Sequence, residues 1–347
     1  MERNKRIKVA VGVSGGVDSS VSAYLLKEQG YDVTGVYMQC WDSKLDGCTA
    51  EADRSDAVKV CAKLGIKFES LDFIKDYKTK VIEYFFSEYE KGRTPNPDVI
   101  CNKEIKFGMF LDWALRNGFS LIATGHYART QEQDGQVKLL KGVDVSKDQS
   151  YFLYALNQIQ LSKVLFPVGG MKKTAVREIA KKVGLHTASK PDSVGICFIG
   201  EVDIKKFLEK RLEIKKGNVV NKKGEVIGEH DGIWFYTIGQ RHGFRLSTYV
   251  GMPLYVVDKN VEKNELIVGF AGDVLKKSFE TESPHWIGDP PSFPLDCEVR
   301  VRHLGELHKC TLDENKVTLV DPIFGIAPGQ SAVFYDGDRT LGGGIIE

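Results

Sequence analysis

With 347 residues, 42% hydrophobic and 27% charged, the chain has the make-up of a globular protein of two or three domains, which excludes a disordered, fibrous or membrane-embedded class. Its 48 Lys+Arg against 47 Asp+Glu leave a net charge of +1, so it is not basic throughout, and a nucleic-acid partner requires a local basic surface. No apolar run approaches a membrane span and the charged stretch Met1–Lys8 lacks the apolar core of a signal peptide, so the expectation is a cytoplasmic protein without a membrane partner.

From Lys8 to about Thr124 strands and helices alternate. Strands read at Lys8–Val13, Asp32–Met38, Lys67–Leu71 and Leu121–Thr124; helices read at Val17–Gln29, Glu51–Leu64, Tyr77–Tyr89 and Lys103–Asn117. Gly30, Gly65 and Gly118 stand just past three helix ends, where left-handed termination is expected. Such alternation predicts a doubly wound parallel sheet, with ligands beyond the carboxyl ends of its strands. A hairpin is expected around Gly135, a short helix after Asp148-Gln149-Ser150, and an amphipathic helix over Lys172–Val183 closed by Gly184. After Asp203–Leu212 the texture changes to short apolar runs broken by glycines, and from about Lys277 to evenly spaced short strands. The expected architecture is an α/β catalytic domain over 1–205, a small mixed central domain over 206–276 and a C-terminal β-barrel over 277–347.

The first strand runs into Gly12-Val13-Ser14-Gly15-Gly16-Val17-Asp18-Ser19 and then into a helix. A glycine turn at a helix start aims unpaired N–H groups and the positive end of the helix dipole at one spot, which suits a phosphate. Asp18 is placed to hold Mg2+ beside it. The Lys of a mononucleotide P-loop and the third glycine of a dinucleotide fingerprint are both missing. The bland alternative is a turn that merely closes a βα unit. The loop resembles the signature of the PP-loop ATP pyrophosphatases, which implies a Rossmann-like fold and cleavage of ATP to AMP and pyrophosphate.

Seven cysteines, Cys40, Cys48, Cys61, Cys101, Cys197, Cys297 and Cys310, form no C-x-x-C pair, which argues against a zinc ribbon or cysteine-bound cluster. Two of them sit in distinctive settings. Thr94-Pro95-Asn96-Pro97-Asp98-Val99-Ile100-Cys101-Asn102 is stiffened by two prolines and leads into the helix expected from Lys103. A thiol at a helix N-terminus has its thiolate favoured, so Cys101 is expected to ionise more readily than a free cysteine. Cys197 lies in the glycine-bounded loop Ser193–Gly200. Taken singly, Asp98 also reads as a turn residue and either cysteine as a small buried filler.

Together, Gly12–Ser19, Thr94–Lys103, Gly125-His126-Tyr127-Ala128, Lys147–Phe152, Ser193–Gly200 and Gly232–Gly243 resemble the tRNA-specific 2-thiouridylase family. The resemblance implies ATP-dependent 2-thiolation of the wobble uridine (position 34) of tRNA, a cysteine desulfurase or sulfur-carrier protein as persulfide donor, and ATP with Mg2+ as cofactors. It implies that Cys197 receives sulfur as a persulfide, that Cys101 attacks that persulfide, and that Asp98 serves as acid–base. Gly12, Val13, Ser14, Gly15, Gly16, Val17, Asp18, Ser19, Met38 and Gly125 match ATP-contacting positions. Asn96, Pro97, Asp98, His126, Lys147, Asp148, Gln149, Arg302, His303 and Gln330 match tRNA-contacting positions. At His303 the family usually carries another aromatic. Two further readings stand beside this one: another PP-loop ATP pyrophosphatase, such as an amide-forming synthetase or a different tRNA-modifying enzyme, and a nucleotide- or RNA-binding module without catalysis. Binding alone does not need two thiols.

Overall fold

The computed structural model describes residues 7–42, 50–192, 195–200, 203–247 and 251–347; Cys48, Ser193 and Val194 lie outside them. The first part of the chain builds β1 (Lys8–Gly12), α1 (Val17–Glu28), β2 (Asp32–Gln39), α2 (Ala50–Leu64) and β3 (Lys67–Asp72). Helix α3 follows as three continuous stretches, Ile74–Tyr77, Lys78–Ile82 and Glu83–Glu90, the middle one π-wound. Helix α4 is likewise continuous through Pro97–Ile100, a π-wound Cys101–Met109, and Phe110–Arg116. After β4 (Leu121–Ala123) come the hairpin strands β5 (Ala128–Gln133) and β6 (Gln136–Lys141), then β7 (Val164–Leu165) and α5 (Lys173–Val183).

Strands β3-β2-β1-β4-β7 lie side by side in that order, all parallel. β1 is buried from Val9 to Gly12, as a central strand covered on both faces must be. The predicted helix stops hold: Gly30, Gly65 and Gly118 take positive φ of 86°, 59° and 77°. One boundary moves. Helix α4 begins at Pro97 and not near Lys103, because Pro97 occupies the first helical position, where its missing N–H goes unused and its fixed φ already suits the helix.

The middle of the chain forms β8 (Gly217–Asn221), β9 (Val226–His230), β10 (Arg245–Leu246), β11 (Tyr255–Asn260) and β12 (Glu265–Gly269), ordered β10-β9-β8-β12-β11. The last part forms β13 (Leu275–Glu280), β14 (His285–Trp286), β15 (Leu295–Arg300), β16 (His308–Asp313), β17 (Lys316–Phe324), β18 (Ser331–Asp336) and β19 (Arg339–Ile345). Its antiparallel sheet runs β13-β17-β16-β15-β18-β19 and then continues into β6 and β5. The early hairpin, turned by Asp134 and Gly135 at positive φ, is therefore an added edge of the C-terminal sheet. Arg339 pairs with Leu140 and Thr340 with Leu139 across that seam. The sequence division at 205 and 277 gives no hint of this, because pairing partners almost 200 residues apart leave no local pattern.

Two clamps tie the proline loop to the later parts of the chain. Thr94 N–H donates to the Pro328 carbonyl at 2.8 Å, and Gln330 Nε2 donates to the Thr94 carbonyl at 2.8 Å. Thr94 and Thr237 share a hydroxyl–hydroxyl bond of 3.1 Å. Among the described residues no helix is long and apolar enough to cross a membrane.

Candidate active site

The glycine loop turns off the carboxyl end of β1. Ser14 N–H donates to Ser19 Oγ at 3.1 Å, and Ser20 Oγ donates to the Gly16 carbonyl at 2.7 Å, so the hydroxyls hold the loop and leave the N–H groups of the first turn uncapped by any side chain. Gly15 has φ +75°, and a Cβ there would strike the Asp53 carbonyl. At Gly125 a Cβ would stand 2.7 Å from Ser19 N, and at Gly12 3.1 Å from Met38 Cε. At Gly16 an added Cβ would meet only Ser14 Oγ at 3.4 Å, so its absence leaves the concavity of the loop open. Glycine chemistry and uncapped donors thus fit a phosphate chain in this cradle. Lys190 fastens the rim, donating to the Gly15 carbonyl at 3.0 Å, Asp53 at 2.8 Å and Asp56 at 2.7 Å.

The residues do not fit a resident Mg2+. Both Asp18 oxygens already accept from Lys173 Nζ, at 2.8 and 2.7 Å, and Oδ1 accepts from the Tyr127 hydroxyl at 2.7 Å. Among the described residues no group of three or more His, Cys, Asp or Glu converges to hold a metal. Lys173 also meets Asp192 at 2.9 Å, and Asp192 bonds Lys147 and Arg177 at 2.6 Å each. Neither Lys173 nor Asp192 stood out in the sequence, since a lysine in a helix first turn usually faces solvent.

The second centre joins three elements, the turn at 196–200, α3 and α4. Ile196 and Gly200 exchange backbone hydrogen bonds at 3.1 and 2.9 Å, closing a tight turn with Cys197 and Phe198 at its tip, Phe198 at φ +66°. Cys197 N–H donates to Asp98 Oδ1 at 3.0 Å, and the Cys197 carbonyl accepts from the buried Tyr77 hydroxyl at 2.6 Å. The turn is held on both its faces by polar groups of α3 and α4. The Cys101 thiol, fully buried, is hydrogen-bonded to the Cys197 sulfur, and no disulfide joins them. Lys106 Nζ bonds the same sulfur and lies 5.6 Å from the centre of the Phe198 ring.

These contacts reverse the expected polarity of the two thiols. The hydrogen bond from Cys101 favours the Cys197 thiolate; burial works against it, and the Lys106 charge adds to the favourable side, leaving Cys197 at about 7. Cys101 goes the other way: burial, then its bond and proximity to Cys197, push its thiol well above the ordinary range. The expectation that Cys101 ionises readily at a helix N-terminus is therefore wrong. Helix α4 starts four residues earlier, so Cys101 lies past the first turn and has no solvent. Burial also raises Asp98, against the Cys197 N–H bond and Lys106, which moves a carboxyl toward the range useful for proton transfer. Burial opposes the Lys106 charge, but Cys197, Cys101 and Asp98 outweigh it and hold the ammonium above the usual lysine range.

Lys106 is the residue that sequence reasoning missed. Five positions on from Cys101, it would sit roughly 140° away around an α-helix of 3.6 residues per turn. The π-wound stretch Cys101–Met109 bonds i to i+5 and brings both side chains to one face.

The remaining candidates divide by exposure. Arg302 is exposed on the connection between β15 and β16. Lys147 is half-exposed but bound to Asp192. Asn96 bonds the Tyr151 hydroxyl, and Pro97 is buried. Gln149 Oε1 accepts from Tyr127 N–H at 3.0 Å. Asp148 and His126 are both buried. Asp148, 1% exposed, is saturated by Arg300 at 2.9 Å and by the N–H groups of Gly142 and Ser150. His126 is buried, its Nδ1 bonded to Thr124 Oγ1 at 2.7 Å, and burial keeps it neutral. His303 stacks on Phe152 at 4.2 Å, and burial lowers it to about 4, so near neutrality it offers a ring and not a charge.

A parallel sheet of this order, with a glycine cradle at its carboxyl edge, defines a nucleotide-binding α/β protein of the PP-loop class. The sequence matches the tRNA methyl transferase HUP domain over residues 7–201, the tRNA methyl transferase PRC-barrel domain over 205–270 and the aminomethyltransferase beta-barrel domain over 276–346. It is 47% identical to the tRNA-specific 2-thiouridylase MnmA of Pasteurella multocida (strain Pm70), over 100% of this chain and 94% of that one. It is 48% identical to the protein of the same name from Geobacillus thermodenitrificans (strain NG80-2), over 98% of this chain and 94% of that one. Among solved structures, the U34-tRNA thiolase NcsA from Methanococcus maripaludis aligns at 19% identity and a TM-score of 0.38, covering 60% of this chain and 65% of that one. The chain belongs to the tRNA-specific 2-thiouridylase MnmA family.

Proposed function

We propose that the protein thiolates C2 of the wobble uridine, position 34, of tRNA, using ATP and a persulfide carried on Cys197. The observation that carries the reading is the Cys197 turn held on Asp98 and Tyr77 with the Cys101 thiol and the Lys106 ammonium beside its sulfur, in a chain whose glycine cradle fits a phosphate chain. A urea-like carbonyl oxygen leaves poorly, and ATP supplies the remedy by turning that oxygen into part of departing AMP. The first turn of α1 and the Gly12–Ser19 loop hold the phosphates, and Met38 and Gly125 border them. Since Asp18 is committed to Lys173, no step is routed through Mg2+.

The Cys197 thiolate attacks the outer sulfur of a persulfide on a cysteine desulfurase or sulfur carrier; the Cys197–sulfur bond forms, the donor's sulfur–sulfur bond breaks, and the donor cysteine leaves as a thiolate. Lys106 balances the negative charge on that sulfur chain. The neighbouring Cys101 sulfur, once deprotonated, attacks the inner sulfur of the persulfide; the Cys101–Cys197 bond forms and hydrosulfide leaves with the electron pair. The hydrosulfide attacks C2 of the adenylated uridine and expels AMP with the former carbonyl oxygen, and an external dithiol reduces the disulfide for the next turnover. Asp98 moves protons beside the target base, which has to be flipped out of its stack to reach an enclosed site. Asn96, Pro97 and Asp98 form the stiff rim that receives it, with Arg302 and Gln330 on the RNA side. The same reading keeps three domains, 1–205, 206–276 and 277–347.

The test is incubation with a cysteine desulfurase and isotopically labelled cysteine, followed by peptide mass spectrometry. The Cys197 peptide gains one sulfur atom, and the Cys101→Ala variant keeps that sulfur but yields no thiolated tRNA. Sulfur accumulating on Cys40, Cys48 or Cys61, with Cys197 unmodified, overturns the assignment. An amide-forming synthetase would keep its activity when Cys197 is replaced.

A further inference from the structure

Two cysteines outside this chemistry face each other in the C-terminal sheet. Cys297 on β15 and Cys310 on β16 are directly paired across antiparallel strands, with their sulfurs 3.6 Å apart. Both are free thiols, and both pack into the core of that sheet, apart from the clusters that hold Cys40, Cys101 and Cys197 on one side and Cys61 on the other. Directly opposed residues on antiparallel strands have Cα atoms about 4.5–5.5 Å apart. Disulfides span Cα separations of about 4.4–6.8 Å, so this register brings the two residues within the range of a bond. Cys310 is 3% exposed, whereas Cys297 is half-buried and open to a small reagent.

The pair also has a position that gives a bond consequences. The segment it would close runs from the end of β15 through the 301–307 connection to β16, and that connection carries Arg302 and His303. Its base is anchored by the buried Arg300–Asp148 pair at 2.9 Å and its His303 ring rests on Phe152.

We propose that Cys297 and Cys310 are a reversible modification site, a dithiol that a low-molecular-weight disulfide oxidises to a cross-strand bond locking the 301–307 connection. The Cys297 thiolate attacks one sulfur of the reagent RSSR; the Cys297–SR bond forms, the RS–SR bond breaks, and one thiolate leaves and takes up the Cys297 proton. The Cys310 sulfur then attacks Cys297; the Cys297–Cys310 bond forms, the Cys297–SR bond breaks, and a second RSH leaves with the Cys310 proton. Two thiols are oxidised and one disulfide is reduced to two thiols. The bond to Cys297 and then burial push the Cys310 thiol up, and the less buried Cys297 is the sulfur that reacts first.

The experiment uses the full chain with Cys101→Ser and Cys197→Ser, so that the other thiol pair is silent, and glutathione disulfide as the reagent. After alkylation of remaining thiols, a non-reduced digest yields one cross-linked peptide pair joining Cys297 and Cys310, lighter by two hydrogen atoms and restored by dithiothreitol. Amide exchange over 301–307 slows several-fold in the oxidised form. In the Cys310→Ser variant, Cys297 stops as a mixed disulfide with glutathione. Free alkylation of both thiols after oxidation overturns the proposal, as does a mixed disulfide that persists on Cys297 with Cys310 intact. Cross-linking with unchanged exchange over 301–307 overturns its claim on the connection. The same digest on the unsubstituted protein supplies the answer should the background substitutions impair folding.

Discussion

Replacing Lys106 with methionine tests the electrostatics of the site most directly. The side chain keeps its length beside Phe198 and loses the charge that faces the Cys197 sulfur. With Cys197 at about 7, roughly half of it is thiolate at pH 7. A free cysteine near 8.5 is only about 3% thiolate there, so the site gains roughly fifteen-fold in reactive sulfur. Lys106→Met removes two of the three effects that favour the thiolate and leaves the largest, the Cys101 hydrogen bond, against burial and Asp98. The midpoint is expected to rise by about one unit toward the free-cysteine value, and the thiolate fraction at pH 7 to drop about fivefold.

The assay is the pH dependence of iodoacetamide alkylation of Cys197, read on its peptide by mass spectrometry so that buried Cys101 does not confuse it. The midpoint is the quantity to compare and not the plateau, since a thiolate of lower pKa is also intrinsically less nucleophilic, with a Brønsted slope of about 0.4–0.5. Lys106→Arg keeps the charge and is expected to stay near the wild-type midpoint. A Lys106→Met midpoint within about half a unit of wild type refutes the reasoning, as does an arginine variant that moves as far as the methionine one.

Other outcomes follow from the same contacts. Cys101→Ala removes the leading support of the Cys197 thiolate and is expected to raise its alkylation midpoint, whereas Cys101→Ser retains a donor and raises it less. Gly15→Ala places a Cβ against the Asp53 carbonyl at φ +75°, and nucleotide affinity by calorimetry should fall at least about tenfold. Asp148→Ala strands the buried Arg300 guanidinium and is expected to lower unfolding free energy by about 3–5 kcal/mol in urea, while Asp148→Leu with Arg300→Met recovers most of it. For Asp192, burial alone would raise the carboxyl, but Lys147 and Lys173 together hold it well below the usual range. A depressed carboxyl stabilises the fold above its unfolded value of about 3.9 and loses that contribution as pH falls through the folded value. Asp192→Asn is therefore expected to lose stability at neutral pH and to show a shallower fall in melting temperature below about pH 4.

The parallel sheet was legible because its signals are local. An apolar, β-branched run such as Val9–Val13 closed by a glycine turn reads as a covered strand, and glycines past helix ends mark stops that the backbone then adopts at positive φ. A hairpin around Gly135 was visible over Asp134–Lys141, though its first strand begins at Ala128, and its attachment to β19 was not visible, because an edge strand's choice of neighbour depends on which distant edge lies open. The candidate tRNA contacts show the same division. Exposed Arg302 looks as a sequence reader would wish, while Asp148 and His126 carry polar groups that the fold has spent on Arg300 and Thr124.

The two sulfurs show most clearly why a motif falls short of a mechanism. Helix position alone assigned the thiolate to Cys101, since a dipole acts within the first turn and the proline loop suggested a start at Lys103. Moving that start to Pro97 shifts Cys101 inward, and its full burial then outweighs whatever the dipole offers. The proton it keeps becomes the hydrogen bond that lets Cys197 lose its own. The π-wound turn supplies the cation on the same face, which an α-helical wheel would have sent elsewhere. A buried acid beside a shared proton and a lysine is thus a single charge arrangement, in which neither cysteine has a reactivity of its own. Substituting any one of Cys101, Lys106 or Cys197 must therefore change the titration of the others, and independent effects at the three positions would mean that the arrangement does not act as a unit.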